Sequence, residues 1–221
     1  MAKQFILFDF DGVIADSFQP AFEIQKMICP HLTENIYRKR FEGNINDWEE
    51  PVNVHTRECR HDIDFFTEYI PRMKNEVQIM PEMKDIIIGL KKNYTLIVIS
   101  STITSPIQEF LEEHDLANHF AQIMGNDIHK SKVEKMKIVF EKYAVEAKNC
   151  VFITDTLGDM REAEKMGIGT IGITWGFHTP ETLLRGKPFR LVEKPKDLLT
   201  AVADYFRVLT LNYEPPQADF P

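Results

Sequence analysis

Three short, largely apolar runs, Phe5 to Phe8, Thr95 to Ile99 and Val151 to Thr154, constrain this chain more than any other feature. They are partly β-branched and lack the apolar–polar alternation of a strand with one wet face, so both faces need cover. Weaker runs lie at Phe120 to Met124 and Thr170 to Thr174. Helical periodicity fills the intervals. Thr104 to His114 opens on a Thr-Ser-Pro start signal and groups Ile107, Phe110 and Leu111. Ser131 to Tyr143 places Val133, Met136, Lys137 and Phe140 near one face. Asp159 to Met166 ends at Gly167, and Lys196 to Leu209 closes the pattern. Strand and helix alternating in this way predict an α/β fold, a Rossmann-like parallel sheet with right-handed crossovers.

Residues 17–81 break the alternation. They mix aromatic, Met and charged residues at helical spacing, and Pro20, Pro30, Pro51, Pro71 and Pro81 divide them into helix-length pieces. The expected organisation is an α/β core from residues 1–16 and 82–210, a helical insertion at 17–81, and a proline-rich tail at 211–221.

Ligands of open α/β sheets bind beyond the carboxyl ends of the strands. Asp9, Ser100 and Asp155 each stand at such an end. The first run passes straight into Asp9-Phe10-Asp11-Gly12. Two carboxylates one residue apart point to the same side of an extended chain and repel unless positive charge is near. Gly12 lets the backbone turn at once.

"DFDGVIADS", "VISS" at 98–101, a lysine in "HKSKVEKM" and "ITDTLGD" at 153–159 occur in this order. Together they resemble the phosphatase branch of the haloacid dehalogenase superfamily, and the insertion resembles that family's C1 helical cap. The resemblance implies that Asp9 is a nucleophile forming an aspartyl-phosphate. It implies that Asp11 is the general acid and base. Ser100 and the amide of Ser101 would bind phosphoryl oxygens, and Lys132 would neutralise their charge. Lys130 is the alternative lysine. Asp9, the backbone carbonyl of Asp11, Asp155 and Asp159 resemble the family's Mg²⁺ site, a set of hard oxygen ligands. Charge agrees with that: four carboxylates and a phosphate of about −2 face one lysine, which a divalent cation would offset. The implied activity is Mg²⁺-dependent hydrolysis of a small, phosphoglycolate-like phosphoester. The alternatives are a phosphomutase of the β-phosphoglucomutase type and a non-catalytic binding or regulatory protein.

The formal net charge of −8 disfavours nucleic-acid and anionic-membrane partners. No apolar run approaches the roughly 20 residues of a membrane span, and the first residues lack a signal-peptide pattern, so the expected setting is the cytoplasm. Cys29, Cys59 and Cys150 are scattered and form no CxxC pair, so neither disulfides nor a thiolate metal site is expected. Within the insertion, "YRKRFEGN" reads as a solvated helix face and as a candidate phosphate grip. His55 and His61 are six apart and unsuited to sharing a metal, and the neighbouring arginines Arg57 and Arg60 stay unassigned. Phe65, Phe66 and Tyr69 read as packing within the insertion, and Asp16 and Ser17 as caps of its first helix. His178, in "WGFHTPETL", reads as a loop residue.

Overall fold

The computed structural model describes residues 3–49 and 58–210. Among them the strands are β1 (Phe5–Phe8), β2 (Ala15–Asp16), β3 (Gln78–Ile79), β4 (Thr95–Ile99), β5 (Phe120–Met124), β6 (Cys150–Thr154), β7 (Gly169–Ile173) and β8 (Arg190–Val192). The α-helices are α1 (Phe18–Ile28), α2 (Glu34–Lys39), α3 (Phe65–Asn75), α4 (Met83–Lys91), α5 (Thr104–Glu113), α6 (Lys132–Tyr143), α7 (Leu157–Lys165), α8 (Pro180–Leu184) and α9 (Leu198–Thr210). Six strands form one sheet in the order β5-β4-β1-β6-β7-β8, with every neighbouring pair parallel.

The central strands are apolar throughout because helices cover both faces. Ile6 and Phe8 of β1 join one core with residues of α4, α5 and α9, while Phe5 and Leu7 join the other with residues of α6 and α7. Each such fully buried side chain contributes about 1.5–3 kcal/mol. The chain leaves β1, builds β4 and β5 on one side, then returns to place β6 on the other. Beside β1 the strand order therefore reverses, opening a crevice beyond the carboxyl ends.

The helical insertion leaves through β2 and re-enters through β3, which pair antiparallel (Ala15 with Ile79, Asp16 with Gln78). Pro20 and Pro71 do not divide it. Pro20 falls in the first turn of α1, where a missing N–H costs little, and α3 runs through Pro71. Ser17 stands at the N-cap of α1 but its side chain makes no cap bond, and Asp16 is exposed in β2. Cys29 and Cys59 are joined by a disulfide, contrary to the expectation drawn from their spacing. The bond ties the end of α1 to the segment before α3, an adjacency that a separation of 30 residues does not reveal. Cys150 is a buried free thiol. On α6 the expected inward Lys137 is exposed and paired with Glu134, and Lys135 is buried in its place. His55, Arg57, Pro51 and the tail at 211–221 lie outside the described residues. Among the described residues no helix is long and apolar enough to cross a membrane.

Candidate active site

Parallel pairing brings the acidic motifs together. Phe8 of β1 aligns with Ile153 of β6, and the amide of Asp9 donates to the carbonyl of Ile153 at 3.0 Å. Asp9 thus emerges beside Thr154 and Asp155. Lys132, in the first turn of α6, reaches between two acids: its Nζ lies 2.9 Å from Asp9 Oδ1 and 2.6 Å from Asp159 Oδ2. Lys132 is 3% exposed, Asp9 5% and Asp159 6%, so this is a buried triad, little screened by solvent. Lys130 is exposed, and its carbonyl accepts from Asn46. Of the two candidate lysines, the structure places Lys132 at the acids.

Burial pushes the Asp9 carboxyl well above its ordinary range, with Lys132 opposing and Asp159 adding to the shift. Burial would raise Asp159 too, but Lys132 and a 2.7 Å hydrogen bond from Thr154 Oγ1 hold it below its ordinary value. Burial pushes Asp155 up to about 7. Its Oδ2 accepts from the Phe177 amide at 2.6 Å, while its Oδ1 is buried with no hydrogen-bond partner among the described residues. Gly12, at φ 74°, is required here: a Cβ would stand 2.1 Å from Asp155 Oδ2.

Asp11 faces a different set of groups. Tyr69 Oη donates to its Oδ1 at 2.6 Å, and Thr102 Oγ1 donates to its Oδ2 at 2.7 Å. Ser100 Oγ lies 3.4 Å from the same Oδ2 and accepts from the Thr102 amide at 2.9 Å. Ser100 is fully buried, whereas Ser101 and Thr102 line the cavity. Burial and the nearby Asp11 charge push the Tyr69 hydroxyl well above its ordinary range, so it stays a donor.

Several supporting residues carry no motif of their own. Glu162, one turn beyond Asp159 on α7, accepts from Ser131 Oγ and from the Lys132 amide, both at 3.0 Å. Its charge satisfies the start of α6 and fixes the base of Lys132. His178 accepts from the Leu157 amide through Nδ1 at 2.9 Å, so its Nε2–H donates to the Arg38 carbonyl of the insertion at 2.8 Å. It therefore joins core to insertion rather than merely occupying a loop. Gly158 permits a second junction, since a Cβ there would sit 2.2 Å from the Gly43 carbonyl.

A cavity of about 250 Å³ lies between the acids and the insertion. Asp9, Asp11, Lys132 and Asp159 line it from the core. The insertion supplies Gln25, Tyr37, Arg40, Phe41, Phe65, Phe66 and Tyr69. The last three thus face the site rather than only each other. In "YRKRFEGN", Lys39 is a solvated residue, but Arg40 is buried and donates to Gln25 Oε1 at 2.6 Å.

The donor set fits a hard divalent cation: oxygen ligands only, two carboxyls with raised affinity for protons, and the unpartnered Asp155 Oδ1. Among the described residues no three acidic, His or Cys side chains are gathered closely enough to ligate an ion as they stand, and Lys132 lies between Asp9 and Asp159.

The haloacid dehalogenase-like hydrolase family matches residues 6–173. The chain belongs to that family. This hydrolase is 23% identical over 212 residues to a phosphoglycolate phosphatase of Synechococcus elongatus, covering 92% of this chain and 99% of the relative. It is 22% identical over 223 residues to one of Vibrio parahaemolyticus, with 90% and 95% covered. A haloacid dehalogenase-like family hydrolase from Streptococcus pneumoniae superposes with a TM-score of 0.68 at 22% identity, over 90% of this chain and 98% of that one. The fold of the hydrolase is thus that of the haloacid dehalogenase-like family.

Proposed function

We propose that this hydrolase is a Mg²⁺-dependent phosphatase of small phosphomonoesters, working through an aspartyl-phosphate on Asp9. The observation that carries the reading is the buried Lys132 ammonium shared by Asp9 and Asp159 at the floor of a cavity that Asp11 also lines. Lys132 and the Phe10 amide both bond Asp9 Oδ1, and on this reading Oδ2 is the attacking oxygen. Attack forms the Oδ2–phosphorus bond and breaks the bond to the leaving oxygen. Asp11 gives that oxygen its proton, and Tyr69 and Thr102 stabilise the carboxylate left behind. Asp11 then takes a proton from water as the water displaces Asp9 from phosphorus. Ser100 accepts from the Thr102 amide and so orients the loop, and Ser101, which lines the cavity, would meet the phosphoryl oxygens through its amide.

Asp9, the Asp11 carbonyl, Asp155 and Asp159 would hold Mg²⁺, which when bound supplies charge stabilisation to the phosphoryl group. Residues 17–81 act as the cap that excludes water, hinged at β2 and β3. The names of the relatives make phosphoglycolate the first substrate to try, and Arg40 is a cation that an acidic leaving group can meet.

The test is phosphate release from acetyl phosphate and phosphoglycolate, with Mg²⁺ and with EDTA, for wild type and Asp9→Asn. Release should require the metal and vanish in the variant, with the fold unchanged by circular dichroism. Equal release from Asp9→Asn would remove Asp9 from the chemistry.

A further inference from the structure

The walls of the cavity differ in chemistry from its floor. On one side Tyr37 and Phe41 meet edge-on at 5.2 Å between ring centroids, and Phe41 meets Phe177 edge-on at 4.8 Å. On the other, Phe65 stacks on Tyr69 at 5.1 Å and meets Phe66 at 5.4 Å. All six rings line the same cavity. The cavity they line, with the acids at its floor, has a volume of about 250 Å³. Tyr69 spends its hydroxyl on Asp11.

We infer, granted the phosphatase reading, that this site takes phosphomonoesters whose leaving group carries a planar aromatic ring. An apolar cavity of about 150 Å³ is enough to admit benzene, so about 100 Å³ remains here for the phosphoryl group. A ring in this position meets faces and edges of other rings at the separations such pairs favour. A two-carbon acid fills neither the volume nor the walls, and sets a carboxylate against aromatic carbon. The cation on the insertion side of the lining is Arg40, whose Nη1 already donates to Gln25.

The test compares benzyl phosphate, ethyl phosphate and phosphoglycolate, all esters of alkyl oxygen, with Mg²⁺ present. Benzyl phosphate should exceed both others in kcat/KM by about tenfold or more, the scale on which pocket contacts discriminate. Phe65→Ala and the gentler Phe65→Leu should each cut the benzyl-to-ethyl ratio by about tenfold, a readout that partial misfolding does not move. Phosphoglycolate matching or beating benzyl phosphate, or an unchanged ratio in both variants, overturns the inference. Calorimetric binding of benzylphosphonate and ethylphosphonate separates it from the catalytic reading. If no ester is hydrolysed but benzylphosphonate binds about tenfold tighter, the ring preference stands and the phosphatase reading falls. Equal binding, or none, overturns the preference.

Discussion

Replacing Tyr69 by Phe removes one hydroxyl from the site and leaves the ring in place. That hydroxyl lies 2.6 Å from Asp11 Oδ1, on a side chain only 1% exposed. A hydrogen bond to a charged group contributes about 1.5–3 kcal/mol. On the proposed mechanism Asp11 becomes more negative as its proton passes to the leaving oxygen, so the bond strengthens toward the transition state. Expressed fully there, its loss slows the first displacement by roughly 10- to 150-fold. Thr102 still donates to the other oxygen of Asp11, so the carboxylate keeps its place. The assay is steady-state kinetics on an alkyl phosphate and on acetyl phosphate, with thermal unfolding alongside. Acetate leaves without needing a proton, so the loss on acetyl phosphate should be distinctly smaller. A variant within about twofold of wild type on the alkyl ester would refute the argument, since it sits far below the worth of such a bond. Equal losses on the two substrates would refute it as well, because they would assign Tyr69 to general packing.

Lys132→Met should abolish turnover and destabilise the fold by about 3–5 kcal/mol in urea unfolding, because it strands two buried carboxylates. Adding Asp9→Asn to that variant should recover part of the stability. Cys29→Ser opens a closed loop of 30 residues, and chain entropy puts the loss at about 3.6 kcal/mol, read as a lower unfolding temperature. Thiol titration of the unfolded, unreduced chain should find Cys150 alone reactive. His178 is buried neutral, its pKa lowered chiefly by burial from the ordinary 6.5. Protonation would also turn Nδ1 into a donor facing the Leu157 amide. Below pH 6.5 the unfolded chain binds the extra proton first, so stability is complete above that pH and falls as pH drops toward the lowered native value. In His178→Gln this slope should flatten, as measured by unfolding midpoints between about pH 7 and 5.

The legible part of the fold was the part in which neighbours along the chain decide the outcome. β1, β4 and β6 sit between helices on both faces, so their sequences are apolar at every turn of the pleat and announce themselves. β8, at the sheet edge, has three residues and begins with the exposed Arg190, so no run marks it. α3 reads as broken at Pro71, yet tertiary packing of Tyr69 and Met73 carries the helix across the lost hydrogen bond. The disulfide escaped notice because two cysteines 30 apart become adjacent only once α1 has folded back.

The same division runs through the site. Asp9, Asp155 and Asp159 lie in short motifs at strand ends, and parallel pairing is enough to bring them together. Glu162 was within reach: three residues after Asp159, it shares that face of α7. Tyr69 was not. Its partner Asp11 is 58 residues away, and an aromatic among aromatics carries no mark that its hydroxyl is committed elsewhere. Asp11 in fact takes its three hydroxyl donors from two separate elements, the Ser100–Thr102 loop of the core and α3 of the insertion. Its environment is complete only when the insertion is seated on the core. On the proposed mechanism the chemistry of Asp11 then depends on the seat of the insertion, and a form in which Tyr69 withdrew would keep Asp9 and Lys132 in place but lose a donor to Asp11.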